Sequence, residues 1–158
     1  MASSLKVITG DLLDLGRNNE FDIILHGCNC FNVMGAGIAA QIAQQFPDAQ
    51  LADAETIRGD AGKLGTYTVG MHGRLVILNC YTQYGTSSTG ADVFEYTAFE
   101  RVLDKISHRF GKWRIGLPLI GMGLAGGDEG RIVPMIESFA ERVTRQGGSV
   151  TIVKWERK

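Results

Sequence analysis

Glycine gathers at four places in this chain, HGCN, MGAG, QYGTSSTG and IGMGLAGG, each at the end of an apolar run. An apolar run that stops in glycine and passes into a helical pattern reads as a strand feeding a ligand loop. Backbone there must approach a bound group closely or take positive φ. The 21 glycines in 158 residues are nearly twice an ordinary share of about 7%. They are clustered, as a flexible linker's would not be.

The segments between these clusters alternate in period. LKVIT predicts a short strand stopped by Gly10-Asp11, and FDIILH a second with no helical period. Gly37–Phe46 predicts a helix, with Ile38, Ile42 and Phe46 on one face and Pro47 ending it; Leu51–Arg58 predicts a weaker one. GKLGTYTVGM and RLVILNCYT read as two strands around the His72-Gly73 turn. A helix over Tyr96–Phe110, a strand in WRIGLPLI, a helix over roughly Ile132–Gln146 and a strand in SVTIVKW complete the pattern. The expected fold is α/β, with a mixed or mostly parallel sheet between helices and its function at the carboxyl ends of the strands.

The totals fit one domain spanning residues 1–158, long enough to bury a core without a staple. A hydrophobic share of 44% and a charged share of 21% are ordinary for a globular protein. A formal net charge of −1 gives no general attraction for nucleic acid or anionic membrane. MASSLKVITGDLL lacks the apolar segment of a signal peptide, and no apolar run is long enough to span a bilayer, so a cytoplasmic location with no membrane partner is expected. Three cysteines argue against a closed disulfide framework and read as buried thiols. Cys28 is set apart only by its place inside a loop. The histidines His26, His72 and His108 show no ligand spacing, so neither a metal nor another cofactor is expected.

Several residues carry two readings. Ile120–Gly127, IGMGLAGG, offers free backbone N–H groups for a phosphate, or is a tight turn that needs glycine. It meets the spacing G-x-G-x-x-G at Gly121, Gly123 and Gly126, but near the chain's end rather than in a first strand-helix-strand unit, so it is weak evidence for NAD-dependent redox chemistry. Gly35-Ala36-Gly37 binds a second anionic or ribose group, or lets a helix pack closely on the sheet. Asp11 accepts hydrogen bonds from an amino group such as adenine N6, or caps a turn. His26 is a general acid, base or nucleophile, or a structural hydrogen-bonder. Asp128 is a base for an attacking water, or the N-cap of the last helix.

VITGDLL, HGCN followed by MGAGIA, GKLG, and PLIGMGLAGGDEG together resemble the macrodomains, which bind ADP-ribose and its derivatives. The resemblance covers nearly the whole chain and implies a three-layer α/β/α macrodomain-like fold with a mixed central sheet. HGCNCFNVMGAGIAAQIAQQFP resembles the branch that includes ADP-ribose-1″-phosphate phosphatases, where H-x-C-N replaces N-A-A-N, and NCYTQYG resembles small phage and bacterial relatives of that branch. By resemblance, Asp11 and the backbone of Leu12 hold adenine, and Asn29 faces the distal ribose. Gly35, Ala36, Gly37 and Ile38 form the first diphosphate loop, and Gly121, Met122, Gly123, Leu124, Ala125 and Gly126 the second. His26, Asp128 and Asn29 fall where that branch places catalytic groups, and Trp155 is the expected aromatic lid over adenine.

Two departures matter. Related glycohydrolases use a lysine in the stretch matching NCYTQYG, where this chain has Gln83, and some carry an acid after G-x-G-L, where this chain has Ala125. The implied activity is therefore a metal-independent hydrolase giving ADP-ribose and phosphate from ADP-ribose-1″-phosphate. Its partner is that small molecule or ADP-ribose. The alternatives are an ADP-ribosyl hydrolase acting on modified protein or nucleic acid, and a reader that binds ADP-ribose without turnover.

Overall fold

The computed structural model describes residues 4–86, 94–121 and 126–155. Their strands are β1 (Leu5–Gly10), β2 (Ile23–Cys28), β3 (Tyr67–His72), β4 (Leu75–Tyr81), β5 (Arg114–Leu117) and β6 (Ser149–Trp155). They form one mixed sheet in the order β1-β6-β5-β2-β4-β3. Neighbouring strands are parallel except β3, which pairs antiparallel with β4. The helices are α1 (Leu12–Arg17), α2 (Gly37–Gln45), α3 (Pro47–Ala54), α4 (Tyr96–Phe110) and α5 (Glu129–Arg145).

Strand alternation sorts the side chains into two cores. Ile23, Leu25, Leu78, Cys80, Ile115, Leu117, Val150 and Ile152 face α4 and α5. Ile24, Ile77 and Val153 face α1, α2 and α3. This is the expected three-layer arrangement. The chain leaves β2 toward α2 and α3, but leaves β4 and β5 toward the opposite face. The carboxyl ends of β2, β4 and β5 therefore border a crevice.

Several boundaries differ from the sequence expectation: α3 ends at Ala54 rather than Arg58, and β3 starts only at Tyr67. Asp11 accepts from the backbone N–H of Leu13 and Asp14 and so starts α1, a helix too short to show a period. Pro47 ends α2 and also opens α3 at its first turn, where a missing N–H costs nothing. β5 stops at Leu117 because Pro118 has no N–H to give a ladder. α5 begins at Glu129, capped by Asp128, and carries Pro134 inside it. No described helix is long and apolar enough to cross a membrane.

Candidate active site

The crevice is a cleft of about 710 Å³ at the carboxyl edge of the sheet. Its floor is the end of β2, with Gly27, Cys28 and Asn29, and one wall is Gly35–Ala39 at the start of α2. Gln83 and Thr86 after β4, and Pro118 to Gly121 after β5, close the other side, with Phe31, Val33 and Arg58 at the rim. Ala36 is the N-cap of α2 and makes no side-chain capping bond. The first-turn N–H groups, with the positive end of the helix dipole, therefore face the cleft uncapped. Gly35, Ala36, Gly37 and Ile38 are thus brought to the wall together.

The second glycine loop is anchored at its stem. Gly127 N–H donates to Gly121 C=O at 2.6 Å. Gly121 has φ of +83°, and a Cβ there would stand 2.3 Å from the Phe94 ring, so only glycine fits. Gly126 lies at the other end of the loop. Met122, Gly123, Leu124 and Ala125 lie outside the described residues.

Asn29 lines the cleft but spends its amide on its own loop. Its Oδ1 accepts from Phe31 N–H at 2.9 Å and its Nδ2 donates to Val33 C=O at 2.7 Å. Asn32, in left-handed backbone with φ of 58°, is tied down from below. Lys63 Nζ donates to its Oδ1 at 2.7 Å and to Thr56 Oγ1 at 2.9 Å, while Asn32 Nδ2 donates to Thr56 C=O at 2.8 Å. The 29–34 loop is held by these hydrogen bonds and by the burial of Cys30 and Met34.

His26 departs from the acid, base or nucleophile expectation. Its side chain is fully buried on the α3 side of the sheet and is not among the cleft-lining residues. Asn79, its partner in the β2–β4 ladder, donates through Nδ2 to Ala49 C=O at 2.9 Å and to Thr68 Oγ1 at 3.0 Å. The Asn79 oxygen must then face His26, so the network assigns the proton to Nε2, which donates across 2.6 Å. Thr68 next donates to Tyr81 at 3.0 Å, and Tyr81 donates to Asp53 at 2.8 Å. Cys28 Sγ lies against the ring, 3.7 Å from His26 Nδ1 and 3.6 Å from Nε2, and the one-way chain that His26 begins ends at the Asp53 carboxylate.

Burial sets the charge states. It lowers the His26 pKa to about 4, against the smaller opposing effect of the Asn79 bond, so the imidazole is neutral. Burial pushes the Cys28 thiol well up, and the nearby Asp53 adds to this, so the thiol at the cleft floor stays protonated. Burial also raises the Asp53 carboxyl, opposed by its Tyr81 bond and by Lys63.

The remaining expected residues lie on the same sheet edge, outside the lined cleft. Asp128 caps α5 by accepting from Gly130 N–H at 3.0 Å, and its own N–H donates to the Tyr96 hydroxyl at 2.9 Å. It stands beside the Gly121–Gly127 stem. Asp11 and Leu12 follow β1, where Gly10 pairs with Trp155 of β6. Trp155 is 58% exposed there, next to the Asp11 turn. Phe31, Val33, Arg58, Thr86, Pro118 and Leu119 line the cleft and were not singled out from the sequence. The one available sign of the buried network was Asn79, a polar residue inside the apolar run LVILNCY.

No protein-family model matches the chain. The chain is 33% identical, over 162 residues, to an uncharacterized 17.5 kDa protein in the tk-vs intergenic region of Enterobacteria phage T4, with 96% of this chain and 97% of that protein matched. Among solved structures, the macrodomain of Mycobacterium tuberculosis DarG superposes with a TM-score of 0.72 at 20% identity, covering 99% of this chain and all 100% of that one. A Trypanosoma brucei macrodomain in complex with ADP-ribose gives 0.71 at 13% identity, over 98% of this chain and 64% of that one. By these superpositions the chain has the macrodomain fold. Within that class, the chain belongs to one family with the phage T4 protein.

Proposed function

We propose that this macrodomain binds ADP-ribose and hydrolyses ADP-ribose-1″-phosphate to ADP-ribose and phosphate. The observation that carries the reading is the cleft's polarity. The uncapped start of α2 faces it, Arg58 is the charged side chain along its described wall, and no carboxylate among the described residues lines it. Such a cleft suits an anionic ligand. In this reading adenine lies near Asp11 and Trp155, the diphosphate meets Gly35–Ile38 and the second glycine loop, and the distal ribose lies by Asn29.

Asp128 accepts a proton from a water that attacks the phosphorus. The bond from phosphorus to the 1″ oxygen breaks, and that oxygen leaves as a hydroxyl with a proton from solvent. Backbone N–H groups along the cleft help to hold the charge on the transferring phosphoryl group. Neutral, buried His26 is a positioning residue that holds Cys28 and the end of β2. Gln83, a neutral amide donating to Gly85 C=O at 2.9 Å, offers no lysine-type chemistry.

A phosphate-release assay in the presence of chelator tests the reading. The protein should release phosphate from ADP-ribose-1″-phosphate, and Asp128→Asn should lower kcat about 100-fold or more. One observation favours a second reading, a binder without turnover: Cys28 and Arg58 are the titratable groups on the described wall, and neither is a base at neutral pH. Saturable ADP-ribose binding with no product would select it.

A further inference from the structure

We infer that Arg58 forms a second anion subsite, separate from the start of α2, that selects ligands carrying a phosphoryl group on the distal ribose. The inference rests on the phosphatase reading and names the residue that would recognise its substrate.

Arg58 is the charged member of the described cleft wall, and none of the ion pairs among the described residues uses it. Its neighbour Asp60 is engaged elsewhere, accepting from Gly62 N–H at 2.8 Å. Among the described residues the side chain is thus a cation without an ion-pair partner, over a wall of glycine, apolar and amide groups.

Its backbone is nevertheless fixed. Gly59 N–H donates to Cys30 C=O at 2.7 Å, and Gly59 C=O accepts from the Tyr84 hydroxyl at 3.0 Å. Gly59 has φ of +78°, and the Phe31 ring would lie 3.3 Å from a Cβ there. Tyr84 packs edge-on against Phe31 with centroids 5.0 Å apart. These contacts tie Arg58 to Cys30 and Phe31, on the loop just after β2. The start of α2 lines the same cleft.

ADP-ribose-1″-phosphate carries two anionic centres separated by the distal ribose. The cleft carries two cationic elements. The start of α2 matches the diphosphate, which needs N–H donors. A guanidinium fork matches the terminal phosphoryl oxygens.

Calorimetry on the full chain, with ADP-ribose and with the phosphorothioate analogue of its 1″-phosphate, tests this. The wild type should bind the analogue about tenfold or more tighter than ADP-ribose. Arg58→Gln should abolish that preference by weakening the analogue about tenfold more than ADP-ribose, and Arg58→Lys should restore part of it. Equal weakening of both ligands would place Arg58 at the diphosphate and overturn the inference. An unchanged preference, or no binding of either ligand, would overturn it too. Phosphate release measured in parallel separates the two levels. A preference lost in Arg58→Gln without release by the wild type upholds the subsite and removes the phosphatase. Release with no preference does the reverse.

Discussion

The two faces of the sheet are held by different physics. Under α4 and α5 the core is apolar, built from residues such as Phe99, Leu103, Phe139 and Val143, all essentially solvent-free. Under α1, α2 and α3 the apolar cluster is smaller, and beside it runs the chain His26, Asn79, Thr68, Tyr81 and Asp53. Apolar burial is strong but non-directional, so it fixes that the layers pack more than where one loop stands. Hydrogen bonds contribute less net stability but define direction, and leaving one unmade is costly. The cleft's 29–34 loop sits on the polar face. The difference separates stability from site geometry: the dry face carries the first and the polar face the second.

Substitution on each face breaks or sustains this division. Phe139→Ala, on the dry face, should lower unfolding free energy by about 3–5 kcal/mol in denaturant titration, while the molecules that stay folded bind ADP-ribose as before. Lys63→Met removes the ammonium that holds Asn32 and Thr56. It should cost less stability, about 2 kcal/mol, yet weaken ADP-ribose binding about tenfold. If Phe139→Ala proved the worse binder, the division would fail.

Proton linkage sharpens the same contrast with an intermediate effect. Folded His26 titrates at about 4 and the unfolded imidazole at 6.5, so the unfolded state holds more protons between these values. The stability contributed by neutral His26 is whole above pH 6.5 and drains away as pH falls to about 4, a loss of about 3 kcal/mol. Asp53, whose carboxyl burial raises, acts oppositely and favours the fold as pH falls. Subtracting a His26→Gln variant's pH profile from the wild type's isolates the His26 part. A flat difference across pH 4–6.5 would mean that imidazole is not buried neutral.

The alternation of periods made most elements legible, and the glycine clusters marked the cleft's walls at Gly35–Ile38 and Gly121. What stayed hidden depends on contacts between distant segments. His26 shows its residue type in sequence, but its burial depends on α3, whose Ala49 carbonyl and Asp53 carboxylate receive the network. Arg58 reaches the cleft only because Gly59 pairs with Cys30, a bond no local pattern announces. Asp11 and Asp128 were ambiguous between ligand contact and helix cap, and both are caps in the structure. A cap uses one carboxylate oxygen for backbone and leaves the residue at a helix start, so the two roles share a sequence signature.

The central claim is that the uncapped start of α2 holds the ligand's anionic group, and one calorimetric titration with ADP-ribose addresses it: wild type beside Ala36→Asp. Ala36 already has the extended backbone of an N-cap, φ −142° and ψ 156°, so aspartate there caps α2 and keeps or raises stability by about 1 kcal/mol. The account predicts saturable one-site binding by the wild type and a loss of about tenfold or more in the variant, because the carboxylate takes the N–H groups and repels the ligand. Equal affinity in the two proteins would contradict it and move the ligand away from α2.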